Sequence, residues 1–148
     1  MKSVMISINP KWCELIASGQ KTVEVRKTKP KLKAPFKCYI YCTKDYNKDN
    51  FLNGKVIGEF VCDFIYENIS YDSKETCVSV DDMKKYANGK PLYGWHISDL
   101  VIYDRPKELS EFNKPCTDPF QYCQGCEHGL IQLQKPPQSW CYVEEARV

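Results

Sequence analysis

The chain has 148 residues, enough for one domain to bury a core without disulfide staples. Apolar residues make up 43% and aromatics 13%, which excludes a disordered chain. The 21 basic and 19 acidic residues leave a net charge of +2, which points to no partner and leaves room for a local basic patch.

The N-terminal stretch MKSVMISINPKWCEL has no apolar run of signal-peptide length, because Lys2, Asn9 and Lys11 interrupt it. No segment approaches the roughly 20 apolar residues of a membrane-spanning helix. The expectation is a cytoplasmic protein without a membrane partner. Nine cysteines without a secretion signal favour reduced thiols or a metal site over a disulfide framework.

In chain order, Val4 to Ile8 reads as a short buried strand. Asn9-Pro10 offers an N-cap followed by proline at the first helical position. Trp12, Leu15 and Ile16 then form one apolar helical face, which places Trp12 in the core, and Gly19 is the stop. Residues 21–27 alternate, with Val23 and Val25 on one side and Thr22, Glu24 and Arg26 on the other. A basic loop, KTKPKLK, carries Lys27, Lys29, Lys31 and Lys33. Phe36 to Cys42 is a strand with Cys38 and Cys42 on one face, both read as core.

Lys55 to Glu67 is a further strand, bent near Gly58. Ser79 caps a short helix that runs to Ala87, with Asp81 and Asp82 at its positive end. Leu92 to Tyr103 is a strand, residues 105–112 a turn or brief helix, and residues 115–137 irregular. Trp140 to Glu144 is the last strand. The pattern predicts an α+β fold of five or six strands with short helices, either an open mixed arrangement or a closed β-barrel.

The sequence Gly19, Lys21, Glu24, Arg26 forms a G-x-K-x-x-E-x-R motif at the end of a helix that begins Asn9-Pro10. With the order strand, capped helix, motif strand and further strands, it resembles the ASCH domain, a member of the PUA-like superfamily. The resemblance implies a single domain over residues 1–148, built as a PUA-like β-barrel decorated with short helices. It implies a cleft beside the first helix in which the motif charges meet RNA or a modified nucleotide. A cysteine-rich insertion at about 113–137 lies outside the general pattern and looks like an elaboration within one branch, from bacteria or their phages.

One ASCH branch hydrolyses the acetyl amide of N4-acetylcytidine with the motif lysine, a strand threonine and a more distant glutamate. Lys21 matches that lysine, while Glu24 occupies the threonine position, so the hydroxyl is missing. If the chain is an enzyme, the catalytic pair is Lys21 and Glu24. Kept charged, Lys21 and Arg26 suit a phosphate or a carbonyl edge. Glu24 suits an exocyclic amine such as that of cytosine or adenine. The alternative for the trio is an ion-pair lattice on an exposed face, with little energetic weight.

Lys29 and Lys31 are candidates to track a nucleic-acid backbone. Trp95, which follows Gly94, is a candidate stacking surface for a base, as are Tyr39 and Tyr41. Cys116, Cys123 and Cys126, with His128, have the spacing of a structural zinc site, and Cys141 is the alternative fourth ligand. Three functions are therefore set against one another. The first is an RNA- or nucleotide-binding module. The second is an amidohydrolase acting on an acylated nucleoside. The third is an accessory protein that binds another protein.

Overall fold

The computed structural model describes residues 2–44, 53–115 and 129–145. Strand β1 (Ser3–Ile8) leads into helix α1 (Pro10–Ala17), and β2 (Val23–Arg26) follows it. Then come β3 (Phe36–Cys42), β4 (Lys55–Tyr66), a 3-10 turn at Lys74–Thr76, helix α2 (Val80–Ala87) and the long β5 (Tyr93–Lys107). A second 3-10 turn, Leu109–Glu111, precedes β6 (Phe112–Pro115), and β7 (Leu130–Gln132) and β8 (Trp140–Glu145) complete the order.

The strands form one eight-stranded sheet in the order β2-β5-β4-β3-β1-β8-β6-β7. β1 runs parallel to β3, and β1 to β8, β2 to β5, β3 to β4, β4 to β5, β6 to β7 and β6 to β8 are antiparallel. The α+β class holds, but the expected closed barrel of five or six strands does not. The order has two ends, β2 and β7, in place of a closed ring. Of the additional strands, β7 lies in the stretch expected to be irregular, and β6 runs from the expected turn or brief helix to the start of that stretch. Each has only three or four residues, so its alternation carries little signal.

Period-two alternation distributes the core over both faces of the sheet. Val4, Ile6 and Ile8 of β1 pack with Cys38, Ile40 and Cys42 of β3 and with Cys13 and Ile16 of α1. Met5 points the other way, into a second cluster with Tyr39, Tyr41, Val56, Phe112, Leu133 and Val143. A third cluster joins β2 to α2, with Val23, Val25, Ile69, Met83, Ala87 and Leu92. The expected bend at Gly58 is a shift in the β4–β5 register, and a Cβ there would come within 2.4 Å of the Val101 carbonyl oxygen.

The sheet curls until its first strand in the spatial order meets its fifth. Arg26 of β2 donates from Nη2 to the Ser7 carbonyl of β1 at 2.7 Å and from Nη1 to Ser139 Oγ at 3.3 Å. A side chain thus bridges a gap that a closed barrel would span with backbone pairing. Both helices border this gap, and the candidate site lies there.

Candidate functional site: a cleft between the two helices

The local sequence places the motif. Asn9 Oδ1 accepts from the Lys11 amide at 3.1 Å and Pro10 occupies the first turn, so α1 starts where the sequence predicts. Gly19 ends the helix with φ +83°, a conformation costly for other residues. The chain reverses there, and the Lys21 amide donates to the Leu15 carbonyl at 3.0 Å. The reversal carries the Lys21 side chain inward and sets β2 alongside β5, with Val23 opposite His96 and Arg26 opposite Tyr93.

Lys21 and Glu24 are buried and Arg26 is half-buried, so the trio is not an ion-pair lattice on an exposed face. Lys21 is 1% exposed and Glu24 5% exposed. Lys21 Nζ donates to the Thr76 carbonyl at 2.5 Å, stands 3.9 Å from Glu24 Oε1 and lies 4.9 Å from the Trp12 ring centroid. Burial lowers the proton affinity of Lys21 below the ordinary lysine value, and Glu24 and Cys77 partly oppose that shift.

Glu24 Oε1 accepts from the Val25 amide at 3.0 Å. Its Oε2 is 3.9 Å from Arg26 Nη2 and, like Arg26 Nε, is buried without a hydrogen-bond partner among the described residues. A buried polar group left unpaired costs about 1–3 kcal/mol, and more if charged. Such groups need an explanation in the site they occupy.

A cavity of about 490 Å³ opens between α1, β2 and α2. Glu24, Val25 and Arg26 line it from β2, Asn9 and Trp12 from the start of α1, and Asp82, Met83 and Tyr86 from α2, with Ser7, Thr43 and Val78 completing the wall. The α2 contribution follows from its cap and spacing. Ser79 Oγ accepts from the Asp82 amide at 3.1 Å, and residues 82, 83 and 86 share one side of the helix. Met83 and Ala87 anchor that side against β2.

Of the residues expected from the sequence, Glu24 and Arg26 line this cavity. Lys21 stands behind Trp12 and Glu24 and is not part of the lining. Lys29 and Lys31 are exposed on the loop after β2 and are not part of it either. Lys29 is engaged by Glu67 and lies over the Tyr93 ring, and the Lys31 amide donates to Tyr142 Oη at 2.9 Å.

Trp95 is corrected from stacking surface to core. It is 0% exposed and packs edge-on against Phe36 and Trp140. Gly94 before it makes room for packing, since a Cβ there would lie 2.5 Å from Ile69 Cδ1. Tyr39 and Tyr41 are likewise buried in the second cluster. Trp12, expected in the core, is only half-buried and forms part of the cavity wall. The sequence reading also missed Tyr86 and Asp82, whose position in a capped helix with acidic residues at its start was the available signal.

The proposed zinc ligands Cys116, Cys123, Cys126 and His128 lie outside the described residues. Cys141, the alternative ligand, is half-buried in β8 and packs against the second core cluster. Among the described residues, no group of three or more histidine, cysteine or carboxylate side chains is arranged to hold a metal ion. Nor is any helix among them long and apolar enough to cross a membrane.

Comparison with known proteins gives the fold an independent frame. A crystal structure of a tyrosine-to-phenylalanine mutant of the ASCH protein from Zymomonas mobilis superposes with a TM-score of 0.66. The two sequences are 21% identical, and the match covers 97% of this chain and 91% of that one. A serine-to-alanine mutant of the same protein gives 0.65 at 21% identity, covering 96% and 88%. A crystal structure of ASCH from Zymomonas mobilis gives 0.58 at 20% identity, covering 96% and 87%. At this identity the likeness shows a shared fold. No curated protein sequence matches the chain. The family model of the ASCH domain matches residues 6–112, which hold α1, the motif, α2 and the cavity, and the chain belongs to the ASCH domain family.

Proposed function

We propose that this ASCH domain binds RNA or a nucleotide, natural or modified, by seating one base in the cleft between α1 and α2. The observation that carries the proposal is the Glu24 carboxylate in the cavity wall, with Oε2 unpaired beside an equally unpaired Arg26 Nε. Together they offer one acceptor and one donor on the same face of a strand. A base with an exocyclic amine next to a ring nitrogen, such as cytosine or adenine, presents the complementary pair. Trp12 and Tyr86 in the walls offer aromatic surface for the base plane.

Recognition has more support than amide hydrolysis. Lys21 is already committed to the Thr76 carbonyl, is flanked by Glu24, and stands outside the cavity lining. A catalytic lysine must reach the reacting atom.

Calorimetric titration with cytidine and adenosine nucleotides and with short RNAs tests the proposal. Glu24→Gln keeps the shape of the site but removes its charge and one acceptor. It is expected to weaken binding by roughly 10- to 100-fold, as for loss of a charge-assisted hydrogen bond. Equal binding by wild type and Glu24→Gln contradicts the assignment. Incubation with N4-acetylcytidine, with Lys21→Ala as control, tests the enzymatic alternative. Cytidine release that the variant loses would replace the binding module with an amidohydrolase.

A further inference from the structure

Both aromatic residues in the cavity wall carry a lysine over the ring. Lys11 Nζ lies 4.7 Å from the centroid of Trp12, and Lys27 Nζ lies 4.8 Å from that of Tyr86. Both lysines are exposed. Among the described residues neither has a carboxylate partner, whereas Lys29, Lys37 and Lys55 are engaged by Glu67, Glu59 and Glu108. Among the described residues these two ammonium groups are therefore held near the cavity by ring contacts alone, which are weak when solvated.

The cavity lining itself is hostile to phosphate. Glu24 and Asp82 are in it, and Arg26 is already bonded to Ser7 and Ser139. A phosphorylated ligand keeps its phosphate away from those carboxylates. Lys11 comes from the start of α1 and Lys27 directly follows β2, so they approach the cleft from two different parts of the chain. A base stacking on Trp12 or Tyr86 is favoured over an exposed cation on the same ring, so its entry frees the lysine to turn outward.

We propose that Lys11 and Lys27 receive the phosphates on either side of the seated base. The preferred ligand is then an internal nucleotide of a single strand rather than a free nucleoside. This rests on the base-binding reading of the cleft and adds to it two residues and a class of ligand.

The test is calorimetry with three probes that share one base: the nucleoside, its 5′-monophosphate and a single-stranded RNA trinucleotide with that base in the centre. Affinity is expected to rise in that order. Lys11→Gln and Lys27→Gln are each expected to lower the trinucleotide-to-nucleoside affinity ratio by roughly 3- to 10-fold. Each should also flatten the salt dependence of trinucleotide binding by about 0.7 in log–log slope.

Suppose both variants keep the wild-type ratio and slope while Glu24→Gln still loses binding. The phosphate roles are then wrong and the base pocket stands. If the wild type prefers the nucleoside, the single-strand assignment is overturned. If it binds none of the probes, the base pocket falls as well.

Discussion

Lys21 shows how burial decides the role of a charged residue. Its ammonium keeps one short bond to the Thr76 carbonyl and a carboxylate at 3.9 Å, yet it is almost completely removed from water. Desolvation outweighs the attraction of Glu24, so the proton is held less tightly than in a free lysine. The sign for stability follows from proton counting. Where the unfolded chain binds more protons than the folded one, stability rises with pH. For Lys21 that interval runs from its lowered folded value up to the ordinary 10.5.

Wild-type unfolding free energy, compared with that of Lys21→Met, is therefore expected to improve as pH rises through this interval. Urea denaturation of both proteins across alkaline pH checks it. A constant difference between them would show that Lys21 keeps an ordinary proton affinity. The motif's spacing was legible in the sequence, because alternation puts Glu24 and Arg26 on one face of β2. Its burial was not, because Thr76, which holds Lys21, and Asp82 and Tyr86, which line the cavity opposite Glu24, come from a distant stretch of the chain.

At the level of the elements, caps and stops were the most readable features. Asn9-Pro10, Gly19 and Ser79 act as local chemistry predicts, since each satisfies helix-end groups within its own few residues. Trp12 was misplaced for a geometric reason. The buried side of α1 is centred on Pro10, Cys13 and Ile16, and Trp12 lies on its flank, where a large ring reaches the cavity. Trp95 was misplaced because Gly94 is compatible with two causes, ligand approach and tight packing, and the neighbours Val23, Tyr66 and Ile69 reveal the second.

Residues 116–128 of the cysteine-rich segment lie outside the described residues and carry their own prediction. The C-x-x-C at Cys123 and Cys126, with Cys116 and His128, is expected to hold one structural zinc ion. Metal analysis of the purified chain should find about one equivalent of zinc. A Cys123→Ser, Cys126→Ser double variant should lose it. Zinc-free wild type, or a double variant that retains zinc, contradicts the site.

For the whole molecule, the decisive feature is that the sheet curls without closing. Sequence patterning supplied strands and helices but not the order of the sheet, because register depends on contacts between distant segments. The open ends also explain where the cleft is. β2 pairs with β5 only through Val23 to Arg26, and its other side faces the helices and the end of β1, where Arg26 meets Ser7. Beyond residue 96, β5 has no strand from β2 beside it. Register shifts, Asp99 at positive φ, Asp104, Arg105 and Pro106 interrupt that edge and guard it against pairing with another chain. Among the described residues, the cleft is the surface we propose for recognition.

The most direct test of that claim is a chemical-shift map. A single-stranded RNA trinucleotide would be titrated into isotopically labelled protein while backbone amides and the tryptophan indole N–H signals are followed. Changes are expected to concentrate at residues 9–12, 24–27 and 82–86, with the Trp12 indole shifted and the buried Trp95 indole far less affected. Changes confined to the Lys29–Lys31 loop, or to a surface away from both helices, would contradict it.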